Sequence, residues 1–141
     1  MVPNEERLFL WKKLRNDFKE FSLEEQLQAL AKFCAEMPFG ARTLDYYNPI
    51  DWPTPWEILF HASFCTSSIS LLMFYTLILM QMDAKVELYL VEDSDGIFLL
   101  PIIDNQFVLN YELGKVSKYL DIIDNFTVLQ RYQAEQIKAI I

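Results

Sequence analysis

Histidine, glycine, cysteine and basic residues are all scarce in this chain. Its 141 residues include 1 His, 3 Gly and 2 Cys, and 12 Lys and Arg stand against 20 Asp and Glu, a net charge of -8. Each shortage excludes something. Few basic residues argue against a general nucleic-acid or anionic-membrane binder, because phosphates are held by clustered Lys and Arg. Two Cys make no disulfide scaffold, and no C-x-x-C pair is present. One His and two Cys cannot build an ordinary four-ligand zinc site without carboxylates. No cofactor or metal is expected. Any Ser-His-Asp or Cys-His-Asp chemistry must use His61. Few Gly and Pro exclude collagen-like and low-complexity chains.

What is abundant is apolar: 52% hydrophobic and 15% aromatic residues. That supplies a packed core for a single domain over 1–141. From Ile58 to Met82 there is no Asp, Glu, Lys or Arg. His61, Ser63, Thr66, Ser67, Ser68 and Ser70 crowd the first half of this run, leaving Ile69 to Met82 as its apolar part. About fourteen residues make a buried helix rather than a span. Glu57 and Asp83 flank the run, with no basic cluster. The N-terminal residues lack the pattern of a signal peptide. The expectation is a cytoplasmic chain with no membrane segment.

Periodicity then divides the chain. Leu8, Trp11, Leu14 and Phe18 predict an amphipathic helix within 4–20, with Arg7, Lys12, Lys13 and Arg15 between them. Ser22 and Glu25 form a capping box that opens a second helix, whose stripe is Leu23, Leu27, Leu30, Ala31 and Cys34. Cys34 reads as a small buried hydrophobe. Prolines mark an irregular stretch from Pro38 to Thr54. Thr54, Pro55 and Glu57 restart a short helix that ends near His61. A central helix runs from Cys65 or Thr66 to Met82, apolar nearly all round and so buried on every side.

After Asp83 the period changes to two. Residues 85–92 alternate, with Val86, Leu88 and Leu90 on one face. Ser94-Asp95-Gly96 predicts a turn, and Ile97 to Ile103 a buried strand in which Pro101 implies an edge or a bulge. Gln106 to Tyr111 predicts the next strand, and Lys115 to Ile123 a strand or a loop. Thr127 to Gln130 reads as a capping box for a C-terminal helix over 128–141. The class is α+β: helices packed on a small antiparallel sheet.

Cys65, at the start of the central helix, is the one plausible nucleophile. Helix N-termini favour negative charge and so favour a thiolate. His61 lies four residues earlier and would share a face with Cys65 only on one continuous helix. The hydroxyls of Thr66, Ser67, Ser68 and Ser70 read as helix caps or bonds to preceding carbonyls. Glu92, Asp93 and Asp95 read as a solvated turn, and Trp52 and Trp56 as anchors of the entry loop on the core.

The segment Trp52-Pro-Thr-Pro-Trp-Glu-Ile-Leu59, followed by Cys65, a long apolar helix, the strand Val86–Val91 and a hairpin, resembles the transglutaminase-like cysteine hydrolases over roughly residues 25–115. The resemblance implies a transglutaminase- or papain-like core with Cys65 as nucleophile. It places the base on the strand after Gly96, where Ile97 stands, and the orienting residue at Asn110. The glycines usual before the nucleophile are replaced by Ala62, Ser63 and Phe64. The chain is also similar to small acidic accessory proteins of tailed bacteriophages.

Two readings follow. One is a catalytically degenerate domain that binds a protein partner or serves assembly. The other is an active cysteine amidase, peptidase or acyltransferase with Cys65 as nucleophile and His61 as base. A thiol that transfers acyl groups needs a partner to move its protons. The strand supplies none.

Overall fold

The computed structural model describes residues 4–37, 40, 42–61 and 65–137. Four helices come first: α1 (Asn4–Asp17), α2 (Leu23–Ala35), α3 (Pro55–His61) and α4 (Thr66–Leu79). The strands β1 (Val86–Asp93), β2 (Gly96–Ile103), β3 (Phe107–Leu109) and β4 (Val116–Lys118) follow. A short helix α5 (Tyr119–Ile122) precedes β5 (Thr127–Tyr132). The fold is α+β, as the order of periodicities implies.

Local chemistry sets the helix starts. The Glu25 amide donates to Ser22 Oγ at 3.3 Å, and the Ser22 hydroxyl donates to the Glu25 carboxylate at 2.7 Å. At α3 the box is reciprocal. The Glu57 amide donates to Thr54 Oγ1 and the Thr54 amide to Glu57 Oε1, both at 3.2 Å. Two of the amides a helix start leaves open are thereby satisfied.

The sheet is antiparallel throughout, in the order β4-β3-β2-β1-β5. Helix α4 lies across β2 and β1. Leu88, Leu90, Leu99 and Ile103 meet it in the main core, together with Trp11, Leu27, Leu30 and Cys34 from the first two helices. Residues Ser67 to Leu77 of α4 are all buried, as its composition predicts.

Three features of the sheet stand out, the last of them a departure from expectation. First, β1 is buried on both faces. Tyr89 and Val91 join Leu100, Ile102 and Val108 in a second core, closed by Tyr119 and Ile122 of α5. The alternation of β1 therefore separates two apolar layers rather than core from water. Even Glu87 on this strand is only 4% exposed. Its carboxylate meets Lys85 at 3.4 Å and accepts a hydrogen bond from Gln133.

Second, Pro101 lies inside β2, opposite Leu88 of β1. Its missing amide shows on the other side, where pairing with β3 stops at Ile102 opposite Val108. Third, the C-terminal helix expected from residue 128 is absent from the described residues. Thr127–Tyr132 forms β5 instead, paired to the outer edge of β1. An unpaired central strand leaves a row of backbone donors and acceptors open, and β5 satisfies them. The box-like pattern belongs a little later. The Gln133 amide donates to Gln136 Oε1 at 2.8 Å, capping a single 3₁₀ turn, Ala134–Gln136. The rest of the expected helix, 138–141, lies outside the described residues. The stretch after Lys115, expected as strand or loop, is β4 followed by α5.

Candidate functional site

Cys65 is the N-cap of α4, in extended backbone geometry at φ -72° and ψ 174°. Its amide donates to the Arg42 carbonyl at 2.8 Å, which ties the cap to the loop before α3. The thiol is half-buried, and its Sγ lies 3.8 Å from Ser68 Oγ. It sits at the positive end of the α4 dipole. Cys34, by contrast, is 1% exposed in the core, where burial pushes its thiol pKa up and keeps it neutral.

The hydroxyls of Ser67 and Ser70, expected as caps or bonds to preceding carbonyls, bond instead to other elements. Leu99 of β2 donates its amide to Ser67 Oγ at 3.2 Å. The Tyr46 hydroxyl reaches the same oxygen at 3.2 Å. The Asn110 side-chain amide donates to Ser70 Oγ at 2.8 Å and to the Thr66 carbonyl at 3.1 Å. These bonds have one geometric origin. Amides two apart on a strand point the same way, so those of Leu99 and residue 101 face the β3 side. Pro101 has no amide to offer there, β3 peels away, and Ser67 takes the open donor of Leu99. The residue that follows β3, Asn110, turns to φ 64°, a left-handed conformation that Asn tolerates well. That turn aims its side chain at α4.

The loop over this end is anchored in turn. Tyr132 of β5 donates its hydroxyl to the Tyr46 carbonyl at 2.8 Å, and Trp52 Nε1 donates to the Asp45 carbonyl at 2.7 Å. Trp52 is buried edge-on against Tyr132, as an anchor should be. Trp56 departs from that expectation. It touches Trp11 edge-on, yet it is 51% exposed.

Of the three residues singled out by sequence, Cys65 and Asn110 both lie at the start of α4. Asn110 is bonded to Thr66, next to Cys65. His61 is the last residue of α3, exposed, with its ring edge-on to Phe60 at 5.2 Å. Among the described residues no hydrogen bond links it to Cys65 or Asn110. Ala62, Ser63 and Phe64, which replace the glycines of the resembled pattern, lie outside the described residues. Ile97 packs with Leu99 on the α4 side of β2. At about 3.3 Å per residue it stands two steps along the strand from the Leu99–Ser67 bond.

Sequence reasoning missed Tyr46 and the separate duties of Ser67, Ser68 and Ser70. A cue was present, since hydroxyls on consecutive turns of an otherwise apolar helix need buried partners. The acidic turn is as expected, with the Asp95 amide donating to Asp93 Oδ1 at 2.8 Å. Among the described residues no group of three or more His, Cys, Asp or Glu is placed to hold a metal ion.

No family model matches the chain, and no curated protein matches it by sequence. Solved structures do match it. Legionella pneumophila LapG in a calcium-bound form superposes with a TM-score of 0.79 at 13% identity, covering 96% of this chain and 78% of that one. A second LapG structure gives 0.75 at 13%, covering 93% and 76%, and an EGTA-treated form gives 0.75 at 13%, covering 93% and 74%. At that identity the likeness is one of fold. The chain thus has the transglutaminase-like fold shared with LapG, with Cys65 at the head of its central helix.

Proposed function

We propose that this chain is a catalytically degenerate transglutaminase-like domain that acts as a protein-binding or assembly module in the cytoplasm. The observation that carries the reading is Ile97. On the α4 side of β2, where a base would have to stand, the side chain can neither accept nor deliver a proton. General acid–base help is typically worth about 10²–10⁴-fold in rate. Asn110 donates its side-chain N–H groups to Thr66 and Ser70, which fixes it on α4. A protein partner is favoured over nucleic acid by the acidic charge. Trp56 and Phe60, one turn apart on α3 and 51% and 49% exposed, offer aromatic surface for it. A phage-encoded setting belongs to this reading and rests on resemblance alone.

The test is alkylation of Cys65 by iodoacetamide at neutral pH. The expected rate is no faster than that of a free thiol, and His61→Ala leaves it unchanged. A rate far above a free thiol that collapses in His61→Ala would overturn the reading. It would establish the active cysteine amidase, peptidase or acyltransferase instead, with Cys65 as nucleophile and His61 as base.

A further inference from the structure

The cations of this acidic chain are gathered in one place. Residues 7–19 hold Arg7, Lys12, Lys13, Arg15 and Lys19 against one acid, Asp17, which leaves 7 basic and 19 acidic residues elsewhere. Two of the five are occupied within the molecule. Arg7 is buried, with Nε donating to the Leu59 carbonyl at 2.8 Å and Nη2 to the Phe60 carbonyl at 3.1 Å. Lys13 pairs with Asp17 at 3.9 Å.

Arg15 has a different environment. Its guanidinium carbon lies 4.3 Å from the ring centroid of Trp11, in cation–π range. Its Nε is closed off from water and has no hydrogen-bond partner among the described residues, and no carboxylate pairs with the group there. Burial lowers its pKa, and no neighbouring acid offsets that shift. A partly desolvated guanidinium attracts an anion more strongly than a hydrated one, and its planar fork fits a carboxylate. Lys12 stands three residues earlier on the same face of α1, exposed.

The apolar side of this surface is α3. Trp56 meets Trp11 edge-on at 6.0 Å, so Arg15 and Trp56 lie against one indole. Phe60 follows one turn later, and both rings are half-exposed. The Glu57 carboxylate beside Trp56 is turned back to the Thr54 amide. The Arg7 bonds tie α1 to α3, and Trp11 Nε1, donating to Thr76 Oγ1 at 2.8 Å, ties α1 to α4. Cation and aromatics thus form one preformed surface, and Arg and Trp are the residues that dominate protein interfaces.

We propose that this face of α1 and α3 docks an acidic peptide segment of a partner protein, which sets a large apolar side chain on Trp56 and Phe60 and carboxylates on Arg15 and Lys12. The proposal rests on reading the chain as a protein-binding module and names the chemistry of its partner. A short segment fits the charge pattern better than nucleic acid or an anionic membrane does. Those polyanions extend past the patch and meet the acidic remainder of the chain.

The probe is a set of short dye-labelled peptides in which two Glu flank a Phe or a Leu. Fluorescence anisotropy with the full chain at low salt reads their binding. At least one should bind saturably, and its affinity should fall about tenfold when Gln replaces Glu or Ser replaces the apolar residue. Arg15→Gln and Trp56→Ala should each weaken binding about tenfold, and Lys12→Gln about two- to threefold. Lys118→Gln, which removes an exposed cation on β4, should leave it at the wild-type value. Added salt should weaken the Glu peptides and spare the Gln ones.

No saturable binding by any Glu peptide overturns the proposal, as does equal binding of the Gln peptides or an equal loss in Lys118→Gln. Oligothymidine or phosphatidylserine vesicles binding in preference to every Glu peptide would assign the face to a polyanion and overturn it. A dimer in sedimentation that Arg15→Gln dissociates would assign it to a second copy and overturn it too. Should Trp56→Ala or Arg15→Gln not fold, Lys12→Gln and the peptide substitutions decide. The degenerate reading is judged on the alkylation of Cys65 alone. A fast, His61-dependent reaction overturns that reading and leaves the docking face standing, so the two failures are told apart.

Discussion

Within the buried part of α4, Ser67 to Leu77, the first and second halves are held by different means. In the first half, Ser67, Ser68 and Ser70 are 3%, 0% and 0% exposed. In the second, Leu71, Leu72, Met73 and Phe74 are each 0% exposed. Leu71 to Phe74 are fixed by packing, which tolerates apolar shapes of the right volume, while Tyr75 and Thr76 after them carry hydrogen bonds to Pro53 and Trp11. The first half is fixed by directed bonds to Leu99, Tyr46 and Asn110. A buried hydroxyl without a partner costs free energy, so each of these bonds dictates where its partner must be. The end of the helix that carries Cys65 is thus the end whose surroundings are specified group by group. Specification of this kind is what a site requires.

The largest effect that separates the halves is a truncation in the second. Phe74→Ala should destabilise the protein by about 3–5 kcal/mol, through lost burial and the cavity left behind. Urea unfolding followed by tryptophan fluorescence measures it. Ser67→Ala should cost less, about 1–3 kcal/mol, because it leaves the Leu99 amide without its acceptor. Its second signature is local, with faster hydrogen exchange at the Leu99 amide than in Phe74→Ala at matched stability. If Ser67→Ala proved neutral and the Leu99 amide stayed protected, the contrast between the halves would collapse.

The same contrast explains what the sequence discloses. The periodicities of α1 to α4 and of the hairpin are legible, because packing against one core imposes a spacing on consecutive residues. Cys65 at a helix start and Asn110 near it were accessible in the same way, through local signals and a family resemblance. The links that build the site are long-range and leave no period. Arg7 sits among exposed cations in α1, and nothing nearby signals that it crosses to carbonyls 52 and 53 residues away. Tyr46 lies in a proline-rich stretch with no register to place it. The C-terminal segment departs from its local signal for a related reason. Thr127 to Tyr132 carries a box-like start, but the open edge of β1 decides its structure. The layer covering the second face of β1 is not legible, because α5, only 4 residues long, is too short to show a helical period.

The smallest effect lies where a polar atom enters the apolar half. Tyr75, 1% exposed, donates its hydroxyl to the Pro53 carbonyl at 2.8 Å, linking α4 to the loop before α3. Burial pushes its phenol pKa well up, and the nearby charge of Glu57 adds to the rise. The folded protein therefore holds the proton more tightly than the unfolded chain. This stabilisation is fully present below the unfolded value of about 10 and is lost as pH rises above it, where the unfolded chain ionises first. Tyr75→Phe removes the hydrogen bond, for a loss of about 0.5–1.5 kcal/mol at neutral pH. It also removes one titrating group, which steepens the alkaline loss of the wild type by about 1.4 kcal/mol per pH unit. The deficit of the variant should then shrink as pH rises and close near about pH 11. Cys34, Tyr89 and Tyr132, whose pKa values are also raised chiefly by burial, titrate in both proteins and cancel from the comparison. Paired urea titrations at pH 7 and at alkaline pH measure the gap. A gap that stays constant with pH would show that Tyr75 acts in α4 as an apolar residue like its neighbours.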